Sequence, residues 1–98
     1  MTYAELVNAL HTFGYTVRDQ PTLSQVRRRH RELVKNNHPD RNPAAAESMQ
    51  RINAAASVIN GYLDSYRFSF AEEDFYRQHP EERLRMQFSD DPVWGGGR

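Results

Sequence analysis

The chain of 98 residues contains no cysteine, which excludes disulfides and thiolate metal sites. Only 38% of its residues are hydrophobic and its mean hydropathy is −0.89, so we expect one small domain with a thin core. No apolar run approaches the roughly 20 residues of a membrane span. The first residues also lack the basic and apolar regions of a signal peptide. These absences fit a reducing compartment, and we expect a cytoplasmic protein.

The chain has no excess of either charge, because 13 basic residues balance 13 acidic ones. A net charge of zero argues against a general binder of nucleic acid or membranes. The charge is nevertheless unevenly placed: residues 23–41 hold six Lys or Arg and two acids, whereas residues 64–98 hold eight acids and five arginines. The basic segment therefore predicts a local positive face that suits an acidic partner.

Two capping boxes, at residues 2–5 and 22–25, precede segments with apolar residues at helical spacing. They predict a first helix over residues 3–13 and a second helix that begins at residue 23. The apolar positions of the first are Tyr3, Leu6, Val7, Leu10 and Phe13. Those of the second are Leu23, Val26, His30 and Leu33. We interpret His30 on this face as a half-buried packing residue.

The second predicted helix carries a basic face opposite its apolar one. Its cations recur at i,i+4 steps, with one more beside them: Arg27, Arg31, Lys35 and Arg28. Such a stripe is commonly only a solvated surface. Here it leads directly into His38-Pro39-Asp40, where the proline disfavours helical geometry at the residue before it. A loop held by rigid helices is a typical place for recognition residues.

A third helix is predicted from Asn42 as N-cap and Pro43 at the first helical position. We expect it to continue past Asn60-Gly61 to about residue 65. Its alanine-rich face would allow close approach to the second helix. The two are therefore expected to form an antiparallel hairpin with the tripeptide at its exposed end.

Residues 66–98 are expected to form a C-terminal extension to a domain of residues 1–65. Ser69 and Glu72 predict a third capping box and a short helix to residue 78, and Pro80 opens another helix. The glycine-rich end is predicted to be flexible. We expect the aromatic residues to cover the thin core, in preference to docking a client: Phe68, Phe70, Phe75, Tyr76, Phe88 and Trp94.

These residues resemble the J-domain, the DnaJ-like co-chaperone module. The resemblance covers roughly residues 2–65 and rests on Leu33-Val34-Lys35-Asn36-Asn37, His38-Pro39-Asp40, Arg41-Asn42-Pro43, Met49-Gln50-Arg51-Ile52-Asn53-Ala54-Ala55 and Phe13-Gly14-Tyr15. It implies an all-α fold in which the hairpin of helices two and three packs against the N-terminal helix. The sequence contains no glycine/phenylalanine-rich linker, zinc module or β client-binding domain. It is therefore similar to a minimal member of the DnaJ-like family with short C-terminal helices.

The resemblance also implies a function that is not enzymatic. A J-domain binds a DnaK-type heat-shock chaperone and stimulates its ATP hydrolysis, without a cofactor or metal of its own. By position, Asp40 would contact an arginine of the chaperone, Pro39 would fix the loop and His38 would order it by hydrogen bonding. An acidic surface of the nucleotide-binding domain would face the cations Arg27, Arg28, Arg31, Lys35 and Arg41.

Departures from the family pattern leave other functions open. His30 and Ala56 stand where the family often has tyrosine, and Asn37 where an aromatic residue or histidine is common. These departures allow a degenerate J-like domain that acts only as an interaction scaffold. The basic run at residues 27–31 also allows a nucleic-acid-binding module, which the zero net charge and the acidic C-terminal third oppose.

Two histidine motifs invite a catalytic or metal-binding interpretation. His38 and Asp40 lack a third converging ligand or a nucleophile, which disfavours both. His79-Pro80-Glu81 echoes the loop tripeptide but has no basic helix before it. We interpret it as the start of a helix.

Overall fold

The computed structural model describes residues 1–38, 40 and 43–90, with side chains up to residue 88. This part of the chain contains no strand, and its helices are α1 Tyr3–Thr12, α2 Leu23–Asn36, α3 Ala46–Asp64, α4 Glu72–Gln78 and α5 Pro80–Asp90. The predicted all-α class is confirmed. The chain divides into two compact units, Met1–Tyr66 and Arg67–Arg98. Within the described ranges, no helix combines the length and apolar character needed to cross a membrane.

Both N-terminal capping boxes form as the sequence predicts. The Thr2 hydroxyl accepts the Glu5 N–H at 3.2 Å, and the Glu5 carboxylate accepts the Thr2 N–H at 3.2 Å. Thr22 and Gln25 repeat the exchange, at 3.2 Å and 2.8 Å. Each box satisfies two N–H groups that a helix start would otherwise leave without an intrahelical acceptor.

The start of α3 differs from the prediction. Pro43–Ala45 form a turn of 3-10 helix, and the α-helix begins at Ala46 without a side-chain cap. Tighter 3-10 bonds are common in the first turn of a helix, and proline is tolerated there. The expected N-cap, Asn42, lies outside the described residues. The helix continues through Asn60-Gly61 to Asp64, as predicted.

The capping box predicted for α4 is wrong, because the helix begins at Glu72 and not directly after Ser69, although it ends at Gln78 as expected. Its N-cap is Ala71, which makes no side-chain cap. The Ser69 hydroxyl instead accepts the Ala71 N–H at 3.3 Å. Serine side chains also hydrogen-bond to backbone N–H groups two residues ahead, and here that bond takes the place of a helix cap. Acidic residues in the first turn stabilise the start of α4, because their negative charge interacts favourably with the positive end of the helix dipole. They are Glu72, Glu73 and Asp74.

The core of the first unit lies between α1, α2 and α3. Helix α3 packs against both other helices, and its contact with α1 is the larger. The central buried side chains are mostly small: Ala9, Phe13, Val26, Ala55, Ala56 and Ile59. Phe13, at 1% exposure, is the largest fully buried one. Tyr3 and Leu23, which the spacing assigns to apolar faces, are exposed at the first position of their helices.

The described phenylalanine side chains of the extension are exposed. Phe70 is 92% and Phe68 68% exposed, and Phe75 and Phe88 are each about half exposed. Buried hydrophobic residues occur only in Met1–Tyr66 among those the structure describes. The expected burial is therefore not met for the phenylalanine rings, whereas Tyr76 is partly buried. Trp94 lies outside the described residues.

Truncation after Tyr66 is expected to change the stability of the first unit by no more than about 1 kcal/mol, because none of the described side chains that it removes is buried. Thermal and urea unfolding of residues 1–66 and of the full chain, followed by circular dichroism, would measure the difference. A loss of several kcal/mol would contradict this expectation. At about 1.5 to 3 kcal/mol per buried aromatic ring, it would show that the extension covers the core in solution.

Candidate functional site

The end of α2 is fixed by the residue that precedes the tripeptide. The backbone N–H of Asn37 donates to the Leu33 carbonyl at 3.0 Å, and its side-chain amide donates to the same oxygen at 2.9 Å. Asn37 is the C-cap, and it is partly buried. The first is the ordinary i→i−4 hydrogen bond of a helix, and the second adds a side-chain donor to the same carbonyl oxygen where α2 ends at Asn36. The side chain of Asn37 therefore has a local structural role that explains a polar residue here.

Beyond the cap, His38 and Asp40 contact each other across the loop. The Asp40 backbone N–H donates to His38 Nδ1 at 3.2 Å, and a carboxylate oxygen of Asp40 lies 3.5 Å from the same nitrogen. The side chains are 51% and 91% exposed, respectively. The loop thus presents an accessible carboxylate, while Pro39 and Arg41 lie outside the described residues.

The basic face of α2 is exposed as predicted. At 100° per residue, four cations fall within an arc of roughly 100° on this helix: Arg27, Arg28, Arg31 and Lys35. All four side chains are exposed, and none forms a salt bridge with another described residue. Glu32, the acid of this helix, pairs instead with Arg29 at 3.7 Å. The charge of the face is therefore available to a partner.

Arg29 is a structural residue whose role the sequence does not reveal. Its Nη1 donates to the Phe13 carbonyl at 2.6 Å, and its guanidinium lies 4.7 Å from the centre of the Tyr15 ring. In sequence, Arg29 is one cation among six in the basic segment. What distinguishes Arg29 from the other cations is its position around the helix axis, within about 60° of Val26 and Leu33 on the apolar side.

His30 packs in the first unit as the sequence predicts. It is partly buried, and its ring centre lies 5.7 Å from that of Phe13. Its Nε2 is buried without a hydrogen-bond partner among the described atoms. Such a group destabilises a fold by an amount on the order of 1 to 3 kcal/mol. No described group of three or more His, Asp and Glu residues is placed to hold a metal ion.

The second histidine motif begins α5, as predicted. His79 Nδ1 lies 3.4 Å from a Glu81 carboxylate oxygen, a separation close to that in the His38 loop. A hydrogen bond from its own backbone N–H, assisted by His79 and Arg85, lowers the pKa of Glu81. Among the described residues, a histidine Nδ1 thus lies beside a carboxylate twice, once after the basic helix α2 and once at the start of α5.

Comparison of the chain with protein-family models, curated proteins and solved structures finds no match. The function of the site is therefore inferred from its own residues. An exposed carboxylate follows directly on a helix with exposed cations. Such a surface suits a macromolecular partner that offers a cation next to an acidic patch.

Proposed function

We propose that this protein is a J-domain-like co-chaperone. It binds a DnaK-type heat-shock chaperone through His38-Pro39-Asp40 and the basic face of α2, and it stimulates ATP hydrolysis by that chaperone. The observation that carries the proposal is the exposed carboxylate of Asp40, whose backbone N–H donates to His38, directly after the exposed cations of α2. The absence of cysteine suits a cytoplasmic partnership.

The helix packing supports a J-domain arrangement of the first unit. Helices α2 and α3 contact each other, and α1 packs on α3. Val26, near the start of α2, and Ile59, near the end of α3, belong to the same core cluster. This pairing is what an antiparallel hairpin requires, since the start of one helix then lies beside the end of the other. The loop at residues 38–40 would then occupy the exposed end of the hairpin.

Binding is proposed to use two kinds of electrostatic contact. Asp40 accepts charge-assisted hydrogen bonds from an arginine of the chaperone. The cations of α2, with Arg41 after the loop, face an acidic surface of its nucleotide-binding domain and speed association. The protein is not itself an enzyme in this proposal. It favours the hydrolysis-competent arrangement of the chaperone, so the coupling is allosteric and the catalytic groups belong to the partner.

Single-turnover ATP hydrolysis by a DnaK-type chaperone, with and without this protein, tests the proposal. Faster hydrolysis that saturates with protein concentration is the expected result. Nucleotide-dependent binding without faster hydrolysis would favour an interaction scaffold instead. If the protein does not bind the chaperone but does bind nucleic acid with a steep salt dependence, the proposal is wrong.

Replacing Arg27 and Arg31 together by glutamate is expected to lower the association rate with the chaperone by roughly tenfold or more. The reversed charges would repel the acidic surface that the wild-type cations attract. Wild-type association should also slow as salt is added, because exposed charges are screened. Stopped-flow measurements at several salt concentrations would give both results.

The matched control for this change is the double variant Arg18→Glu/Arg51→Glu. It alters the net charge by the same amount at two exposed positions of the first unit outside the basic face. Its association rate should stay close to that of the wild type. Equal rates for both double variants would show that the basic face does not guide docking.

A further inference from the structure

A cluster that the proposed function does not use joins the end of α1 to the inner side of α2. We call it the α1–α2 latch, and its residues are Phe13, Gly14, Tyr15, Gln25 and Arg29. Arg29 donates to the Phe13 carbonyl at 2.6 Å and lies over the Tyr15 ring. The Tyr15 hydroxyl in turn donates to the Gln25 carbonyl at 3.3 Å. One cation and one tyrosine thus tie the chain after α1 to α2 at two points.

The chemistry of the helix end makes Arg29 a specific partner for it. Phe13 is the C-cap of α1, where carbonyl groups lack intrahelical donors and carry the negative end of the helix dipole. A guanidinium satisfies such a carbonyl with a charge-assisted bond and also lies favourably over an aromatic ring. The latch therefore uses the two properties that distinguish arginine from an apolar residue of similar length.

Gly14 makes room for this contact. Its φ is +82°, a conformation that residues with a side chain rarely adopt. A Cβ at this position would also lie 2.7 Å from Arg29 Nη1. The glycine that ends α1 is thus needed both for the turn and for the guanidinium.

The position of Arg29 on α2 connects the latch to the basic face. At 100° per residue, Arg29 lies roughly 160° from Arg27 and Arg31, on the other side of the helix. Val26 is the single buried residue of α2, and α3 contacts α2 less extensively than it contacts α1. A helix with so little buried surface has few restraints on rotation about its own axis. The latch supplies one on the side opposite the cations.

We propose that Arg29 is a positioning residue, which fixes the rotation of α2 so that the basic face points away from α1 and towards the partner. This inference rests on the proposed function. It assigns to Arg29 no direct contact with the chaperone. Loss of the latch should therefore reduce apparent affinity without changing the maximal stimulation of ATP hydrolysis.

The test uses Arg29→Met in the full chain, which keeps an apolar stem and removes the guanidinium. We expect the concentration for half-maximal ATPase stimulation to rise several-fold, with the same maximal rate. Residual dipolar couplings of α2 and α1 amides should show a changed orientation of α2. Arg29→Lys keeps the cation and a donor for the Phe13 carbonyl, and it should recover most of the lost affinity.

Two control variants separate positioning from charge and from stability. Arg18→Met removes an exposed cation of the connector between α1 and α2. Ile52→Val weakens the buried core at a residue outside the cluster that contains Phe13. Both should keep the wild-type half-maximal concentration and the orientation of α2, under conditions where every variant is folded. Equal increases in Arg29→Met and either control would overturn the inference.

Failure of this inference is distinguishable from failure of the proposed function. If the wild-type protein does not stimulate the chaperone, the proposed function is wrong, and the dipolar couplings alone then decide the role of Arg29. An unchanged orientation of α2 in Arg29→Met would overturn the positioning role. Wild-type stimulation with an unaffected Arg29→Met variant would reject the positioning role and leave the co-chaperone proposal standing.

Discussion

Replacing Asp40 by asparagine is expected to abolish stimulation of chaperone ATP hydrolysis and to change stability by less than about 0.5 kcal/mol. The side chain is 91% exposed, so its carboxylate contributes little to the fold. Asparagine keeps the shape and the backbone N–H that donates to His38 Nδ1. It loses the negative charge that the proposed contact with an arginine requires. Single-turnover hydrolysis and thermal unfolding would measure the two effects separately.

His38→Gln is expected to have the same result for a different reason. It removes the Nδ1 acceptor that holds the Asp40 backbone, so the carboxylate is no longer presented in one position. The side chain is half exposed, and we expect the melting temperature to stay nearly unchanged. Full activity in both His38→Gln and Asp40→Asn would remove the co-chaperone proposal. Extensive unfolding would show that the loop is structural.

The chain provides its own control for the loop in His79-Pro80-Glu81. Here, too, a histidine Nδ1 lies near a carboxylate, at 3.4 Å. His79→Gln and Glu81→Gln remove the same groups from a site without a basic helix before it. Both variants should stimulate the chaperone as the wild type does. If these variants lost stimulation as His38→Gln and Asp40→Asn are expected to, the effect would not be specific to His38-Pro39-Asp40.

Structural features that depend on residues close together in the sequence could be predicted from it. The boxes at residues 2–5 and 22–25 join residues three apart, and both form. The basic face follows from helical spacing alone, and its cations are exposed. Ser69 shows the limit of local rules. The predicted capping box required its hydroxyl to accept the N–H of Glu72, but it accepts the N–H of Ala71 instead.

Features that depend on distant packing could not be read from the pattern. Arg29 and Phe13 are 16 residues apart, and their contact requires both helix positions and the turn at Gly14. The aromatic residues of the extension were expected to be buried because they are apolar and the core is thin. Burial also requires a surface to pack against, which composition does not specify. Phe70, the most exposed of those that the structure describes, lies within a run of residues without regular structure.

Phe13→Ala is expected to lower the free energy of unfolding by about 3 to 5 kcal/mol, the largest loss for a single side chain of this protein. Phe13 is the largest fully buried residue and lies in the central core cluster. Its removal would leave a cavity lined by small side chains that cannot move in to fill it. It would also end the ring contact with His30 at 5.7 Å. Urea unfolding followed by circular dichroism would measure the loss.

Phe70→Ala is the matched control, because it deletes the same ring from a position that is 92% exposed. We expect it to change stability by less than about 0.5 kcal/mol, as is usual for exposed positions. A domain this small has limited stability, so Phe13→Ala should be substantially unfolded near physiological temperature and should stimulate the chaperone only weakly there. Cooling it until it folds should restore stimulation, since the loop and the basic face are unaltered. Equal losses in the two variants would show that Phe13 is not the centre of the core.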